Sequence, residues 1–538
     1  MMQIDDLYVG LDKSNFYLGR ISQIFRNNVT IQTENLTLLS PKKIENNYVI
    51  PNSINYYVVI DANDGVYFGK IYQSQVPNSI STHENMNTGY REGIFPELRA
   101  EILGYIPIGR KKWNLPNFHT AGISDKVYVA NVTSIKNFIS SVESEKDNEE
   151  RPLPPFANII DSPEDLQVKF KPSTLFNKHL MAIGMTGSGK STTALSIIDK
   201  VIKNKFKVLF IDPTGEYSET FSEDDNVKKF ILGENAFISS GKLTMPQWCM
   251  LFGANKGTQP SVLSKAINVL KHYDKVMNLE IIDSNSDKIG NSNNDFDVKL
   301  LHEQIEKLSF SRNKYSKEYE VDWFKKNVNE YLIEKIDYKL NNTKISEVFT
   351  TKTSEKDILK YLQKFCINSS DSSIYINASK LGGDNDSGRA IIDILTNSLM
   401  ENRQKLTPTS PILIYIDEVH RYTKENYENN NLYESGLERI AREGRKLGTY
   451  LFLTTQRPDD VDKVVLSQMG SLLIHRLFSN NEIKVIGNFL TDYEIPLVRK
   501  LNTGECIFTS SNIFKHLYLK INKCDRKHNS NSPKFISN

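Results

Sequence analysis

The chain has 538 residues, 39% apolar and 10% aromatic, too many for one compact core and enough to fill two or three. A formal charge of +2, from 67 Lys and Arg against 65 Asp and Glu, excludes a globally basic nucleic-acid binder, so DNA would have to meet a local patch or a pore assembled from several subunits. Four scattered cysteines (Cys249, Cys366, Cys506, Cys524) without Cys-x-x-Cys, an acidic start and no run near ~18 apolar residues argue against zinc, a disulfide framework, a signal peptide and a membrane span, and for a soluble cytoplasmic chain.

Residues 1–150 read as mostly β. Short strand-like runs recur at Phe16–Ile24, Val29–Thr33, Tyr56–Ile60, Gly65–Tyr72, Ala100–Ile106 and Lys126–Ala130, with turn formers such as Asn63-Asp64-Gly65 between them. That spacing predicts a small barrel or sandwich, and with no catalytic constellation in it, an assembly or docking module. The charged stretch 140–150 and Arg151-Pro152-Leu153-Pro154-Pro155 read as a linker.

Next comes the stretch on which the rest depends. Leu180–Ile183 is a buried-strand pattern, and Gly184-Met185-Thr186-Gly187-Ser188-Gly189-Lys190-Ser191 fits G-x-x-x-x-G-K-[ST], the phosphate-binding P-loop. The apolar spacing of residues 192–203, from Thr192 on, predicts a helix. Glycines let the backbone turn its N–H groups onto a triphosphate, the helix start adds its dipole, Lys190 reaches the β- and γ-phosphates, and the Ser191 hydroxyl ligates Mg²⁺. The strand Lys207–Ile211 then delivers Asp212-Pro213-Thr214-Gly215-Glu216-Tyr217 to its carboxyl end, where α/β sheets bind ligands. Asp212 and Glu216 could thus sit near nucleotide, or simply build a turn.

Residues 218–370 interrupt the alternation. Helical spacing at Ser261–Met277, Val298–Leu308 and Tyr319–Ile336 predicts a mostly helical insertion, broken by the polar stretch Ile282–Asp297. The α/β pattern resumes over 371–521: a strand at Ser373–Ile376, a helix at Arg389–Arg403, and Pro411–Ile416 closed by Asp417-Glu418 in the form of a Walker B motif. Asp417 would hold Mg²⁺ through its water shell and Glu418 would act as general base. A helix at Leu432–Leu447 carries Arg439, Arg442 and Arg445; a strand at Tyr450–Thr455 ends at Gln456, a candidate γ-phosphate sensor. Further strands fall at Ser471–Leu477, Cys506–Thr509 and His516–Ile521, before a polar tail at 522–538. The fold class expected is α/β, a RecA-like P-loop NTPase core with an N-terminal β-barrel and a helical insertion.

Four blocks together carry a family resemblance: Asp212-Pro213-Thr214-Gly215-Glu216-Tyr217, Ile416-Asp417-Glu418-Val419-His420, Ala441-Arg442-Glu443-Gly444-Arg445-Lys446-Leu447-Gly448 and Thr455-Gln456-Arg457-Pro458. They resemble the HerA family of DNA translocases, relatives of the FtsK-type motor ATPases, over about residues 10–521. Thr214 stands where that family often has His. The resemblance implies a homo-hexameric ring with ATP and Mg²⁺ at subunit interfaces, DNA through the pore, and a barrel that docks partners. Lys190, Ser191, Asp417, Glu418 and Gln456 take the roles already given, Asp212 and Glu216 help position water or metal, and Arg442 or Arg445 supplies a finger in trans. The loop Arg421–Tyr427 could face the channel or have no DNA role. Such motors work with a separate effector, a NurA-type nuclease or a sirtuin-like NADase, in DNA end processing or anti-phage defence. The alternative reading is an ATPase-ring scaffold that organises an effector without productive translocation.

Overall fold

The computed structural model describes residues 4–527 apart from 35–41, 45–46, 51–53, 77–83, 85–86, 90–94, 144–149, 161–165, 223–224, 255–256, 291, 343, 351–355, 368–371, 382–384, 407–409 and 424–432. Contacts divide the chain into two units: residues 1–177 with 504–522, and residues 178–503 with 523–538.

In the first unit, β1 (Tyr17–Ile24), β2 (Asn28–Thr33), β3 (Tyr57–Ala62), β4 (Gly65–Gln75), β5 (Glu97–Pro107) and β6 (Lys126–Val129) close an antiparallel barrel in the order β1-β2-β5-β4-β3-β6. Each is one of the six runs read as strands, and closure leaves no open edge. Helix α1 (Val132–Ser140) is capped by Asn131, whose side chain accepts from Ser134 N at 2.7 Å. It lays Phe138 on Phe68 with ring centroids 4.2 Å apart, beside the buried Trp113. Two short strands, β7 (Ala157–Ile159) and β8 (Gln167–Val168), pair with each other, and β7 also pairs with Leu517–Ile521. Val142 and Leu153 are buried, so the described parts of the expected linker are anchored by apolar side chains.

The second unit holds a wholly parallel seven-strand sheet. Its strands are β9 (Leu180–Ile183), β10 (Lys207–Asp212), β11 (Val227–Ile231), β12 (Ser373–Asn377), β13 (Ile412–Ile416), β14 (Thr449–Thr455) and β15 (Ser471–Ile474), in the order β15-β9-β14-β13-β10-β12-β11. Strands β9, β10, β12, β13 and β15 are buried at every position, as a sheet covered on both faces requires. The P-loop strand β9 lies between β14 and β15, so its carboxyl end is flanked by two others. Helix α2 (Lys190–Lys203) follows the loop.

Between β11 and β12 the described chain is largely helical. Helices Met245–Phe252 and Gln259–Tyr273 gather around Trp248, whose ring stands 5.3 to 5.8 Å from Phe252, Phe296 and Phe349. The run Tyr319–Ile336 is not one helix. Tyr319–Val321 pairs with Phe310–Arg312 as a hairpin, and the helix spans Trp323–Asn342. Asn313 turns the hairpin by accepting from Tyr315 N at 2.9 Å, and Lys317 takes a φ of 60°, local chemistry that the apolar spacing hides. Of the helix expected at Leu432–Leu447, Leu432 lies outside the described residues, and the described part is a capped α-helix over Gly436–Glu443 followed by a 3₁₀ turn to Leu447.

Candidate functional site: a P-loop and two acids at the strand ends

The carboxyl edge of the sheet gathers the chemistry. Three features show the loop after β9 shaped as a phosphate cradle. Gly187 and Gly189 take φ of 73° and 108°, open to glycine and strained for other residues. A Cβ on Gly184 would stand 2.6 Å from the His475 Cβ and 2.7 Å from the Ser188 hydroxyl. Lys190 is buried, its Nζ 3.2 Å from the Met185 carbonyl and 3.8 Å from Glu418 Oε1. Burial holds this ammonium below its usual pKa, against the pull of Glu418 and Asp417. A buried cation on a glycine-bent loop at the start of a helix fits a triphosphate. Met185, Thr186, Ser188, Ser191 and Thr192 complete the loop and the first turn of α2.

Asp417 follows β13. It is buried and accepts from the hydroxyls of Tyr217 and Thr454 and, at 3.0 Å, from the Glu418 backbone. Burial, then the Glu418 charge, raises its pKa. Ser191 and Asp417 are the pair that would hold Mg²⁺. Among the described residues no cluster of three or more His, Cys, Asp or Glu could hold a metal.

Glu418 sits with φ at 48°, the left-handed region that a non-glycine enters at a cost of ~1 kcal/mol or more. Its side chain is the hub of the site. Oε1 accepts from Gln456 Nε2 at 2.5 Å; Oε2 accepts from Gln456 N at 3.2 Å and lies 3.3 Å from His420 Nδ1. Burial would raise this carboxyl, but His420, Lys190 and Gln456 outweigh it and the pKa falls below the ordinary value. Glu418 therefore stays an anion able to accept a proton from water. Gln456 reaches in two directions, since its Oε1 also accepts from the Thr186 hydroxyl at 2.7 Å. One amide thus ties the P-loop tip to the acid.

Asp212 is elsewhere occupied. Oδ1 accepts from Thr214 N, Thr214 Oγ1 and Gly215 N at 3.1, 3.0 and 2.8 Å; Oδ2 accepts from Tyr217 N at 3.0 Å and Tyr375 OH at 2.7 Å. Five donors use the carboxylate's acceptor capacity, so the geometry makes Asp212 the builder of the turn that carries Tyr217 to Asp417. Glu216 is exposed on that turn. Arg442 and Arg445 are exposed too, and Arg442 pairs with Glu434 at 3.0 Å. Of the loop 421–427, Tyr422 and Thr423 are buried, and 424–427 lies outside the described residues.

Sequence reasoning missed four partners: Tyr217 and Thr454 on Asp417, Thr186 on Gln456, and His475, whose Nε2 lies 3.1 Å from Thr193 Oγ1 beneath the P-loop. His475 had a readable signal, a polar residue closing the apolar strand β15. The others needed knowledge of which strands are neighbours.

A parallel sheet with a P-loop, a Walker-type acid pair and a bridging amide at its carboxyl edge defines a P-loop ATPase. Residues 157–358 match the family described as "Helicase HerA, central domain". A probable helicase of Methanocaldococcus jannaschii is 25% identical over 68% of this chain and 66% of its own length. The DNA double-strand break repair helicase HerA of Sulfurisphaera tokodaii is 25% identical over 69% of this chain and 70% of its own. The chain spans about two thirds of the length of these relatives. Among solved structures, VirB4 of Thermoanaerobacter pseudethanolicus aligns with 71% of this chain and 98% of that one, at 14% identity and a TM-score of 0.49. The resemblance to the HerA family read from the four motif blocks is borne out by these matches.

Proposed function

We propose that the chain is an ATP-driven DNA translocase that works as a ring, with six copies expected, and delivers DNA to a separate effector, a nuclease or a sirtuin-like NADase, in DNA end processing or anti-phage defence. The observation that carries the motor reading is the Gln456 bridge. It ties Glu418 to Thr186 of the P-loop, so a change at the γ-phosphate is felt at once by the acid and by β14.

In this reading Lys190 binds the β- and γ-phosphates, with Gly187, Gly189 and their neighbours supplying N–H groups, while Gly184, whose N–H goes to the Thr455 carbonyl, lets the loop pass close to His475. Ser191 and Asp417 would hold Mg²⁺, which when bound offsets phosphate charge. Glu418 accepts the proton of the attacking water, and Gln456 orients the acid. Arg442 or Arg445 reaches the nucleotide of the neighbouring copy, where such a cation is worth about 10³–10⁵ in rate in other NTPases.

The test is ATP turnover by the purified chain with and without duplex DNA, alongside its mass in solution. A ring-sized species whose turnover rises with DNA is expected. A ring whose turnover ignores DNA, alone and with its neighbouring-gene products, would remove the translocase and leave a scaffold.

A further inference from the structure

The hairpin of Phe310–Arg312 and Tyr319–Val321, with the first turn of the helix Trp323–Asn342, displays side chains that the ATPase site does not use. Tyr315 at the hairpin tip is 96% exposed, Trp323 67% and Phe324 76%. Three large rings in water on one short segment are not the scattered apolar exposure of an ordinary surface. They are also held in place. Asn313 Oδ1 accepts from the N–H groups of Tyr315 and Ser316, fixing the tip, and the Lys326 ammonium sits 5.0 Å over the Trp323 ring.

Cations accompany the rings. Arg312, Lys314, Lys317 and Lys325 are exposed on this segment. Among the described residues Lys314 and Lys317 make no ion pair, whereas the nearby acids Asp322, Glu320 and Asp283 are each engaged, Asp283 by the Tyr319 hydroxyl at 3.1 Å. Asp322 caps the helix on Lys325 N and pairs with its ammonium at 3.8 Å, and Glu320 accepts from Asn313. Lysines are depleted from the cores of protein interfaces, but aromatic faces interleaved with cations are what a single strand needs. A duplex hides its base faces and offers the rings nothing to stack on.

We propose that this hairpin and helix start are a docking surface for single-stranded DNA, with Tyr315, Trp323 and Phe324 stacking on unpaired bases and Arg312, Lys314 and Lys317 meeting phosphates. It rests on the reading of the chain as a DNA-handling motor and adds to it a contact outside the ATPase sheet.

The full chain is titrated against fluorescein-labelled oligo(dT) at several salt concentrations, and its turnover is followed with and without duplex. The triple variant Tyr315→Ala, Trp323→Ala, Phe324→Ala is expected to lose about tenfold or more in oligo(dT) affinity. The double variant Lys314→Glu, Lys317→Glu is expected to flatten the log–log salt slope by about 1–2. Both keep DNA-free turnover and mass, because the side chains are exposed. Unchanged oligo(dT) affinity in both variants, with duplex-stimulated turnover intact, overturns this surface and leaves the motor reading standing. Loss of a co-purifying protein without loss of oligo(dT) overturns it in favour of a protein-docking face. A wild-type chain that neither binds oligo(dT) nor responds to duplex overturns both.

Discussion

Lys190 and Gln456 do different things, and their substitutions should separate. Lys190 carries the charge the phosphates meet, so Lys190→Ala is expected to lower turnover by about 100-fold or more and to weaken nucleotide binding, read by steady-state hydrolysis and nucleotide titration. Gln456 makes three contacts around Glu418 and the P-loop tip but brings no charge. Gln456→Ala should keep nucleotide affinity within a few-fold and cut turnover by about tenfold or more. Equal losses in both quantities would make Gln456 a binding residue instead. These two residues also show how far single positions are legible. Lys190 is fixed by spacing along one loop, so its place could be read directly. The neighbours of Asp417 come from β14 and from the turn after β10, and no local pattern says that these adjoin. The turn role of Asp212 was among the readings the sequence left open, and its five donors favour it.

The elements owe their positions to a few buried polar ties. His179, the residue before β9, accepts from Leu451 N through Nδ1 and donates to the Ala441 carbonyl through Nε2, both at 3.0 Å. It joins the P-loop strand to β14 and to the helix Gly436–Glu443. Burial pushes its pKa from an ordinary 6.5 to about 4. The folded state therefore resists the proton that the unfolded chain takes up, and the sign follows. This contribution is whole above pH 6.5 and is lost as pH falls towards 4, up to about 3 kcal/mol in all. Urea midpoints measured across that window should slope downward with acid, and less steeply in His179→Gln. Arg526 makes a second tie. In a stretch that reads as a polar tail, its guanidinium grips Asp225 with two contacts of 2.9 Å and Asp199 of α2 at 2.9 Å, and it faces the Phe221 ring. Arg526→Ala leaves Asp225 without its cation, while Asp199 keeps Lys200 and Lys203, and is expected to cost about 2 kcal/mol in urea unfolding. The pKa values of both acids are lowered: burial would raise them, and Lys203, Ser222 and Arg526 outweigh it. Their contribution should thus persist down to about pH 4 and fail only below it. Composition hid this clasp, because a lone arginine among Lys, Asn and Ser looks solvated. The six barrel strands and the alternating parallel strands were legible because burial on their faces writes a periodic pattern; a contact made by one residue writes none.

In the proposed ring the expectation concerns neighbours. Substituting Arg442 and Arg445 together should spare the ring, since both side chains are exposed, and should stop hydrolysis. Mixing that variant with Glu418→Gln should then recover part of the turnover, because some interfaces regain an arginine from one copy and an acid from the other. Mixed rings with no recovery would place the arginines outside the site. The order of strands in the parallel sheet has its own consequence for how the molecule comes into being. The P-loop strand meets its sheet partners only from β14 and β15, and the tie between His179 and Leu451 closes a separation of 272 residues, that between Thr193 and His475 one of 282. Contacts so distant along the chain form slowly and late. On the ribosome, at ~5–20 residues per second, the cradle is made some tens of seconds before the strands that hold it exist. A newborn chain thus carries its most recognisable motif, without the strands that flank it, until synthesis has passed Thr449–Thr455 and Ser471–Ile474.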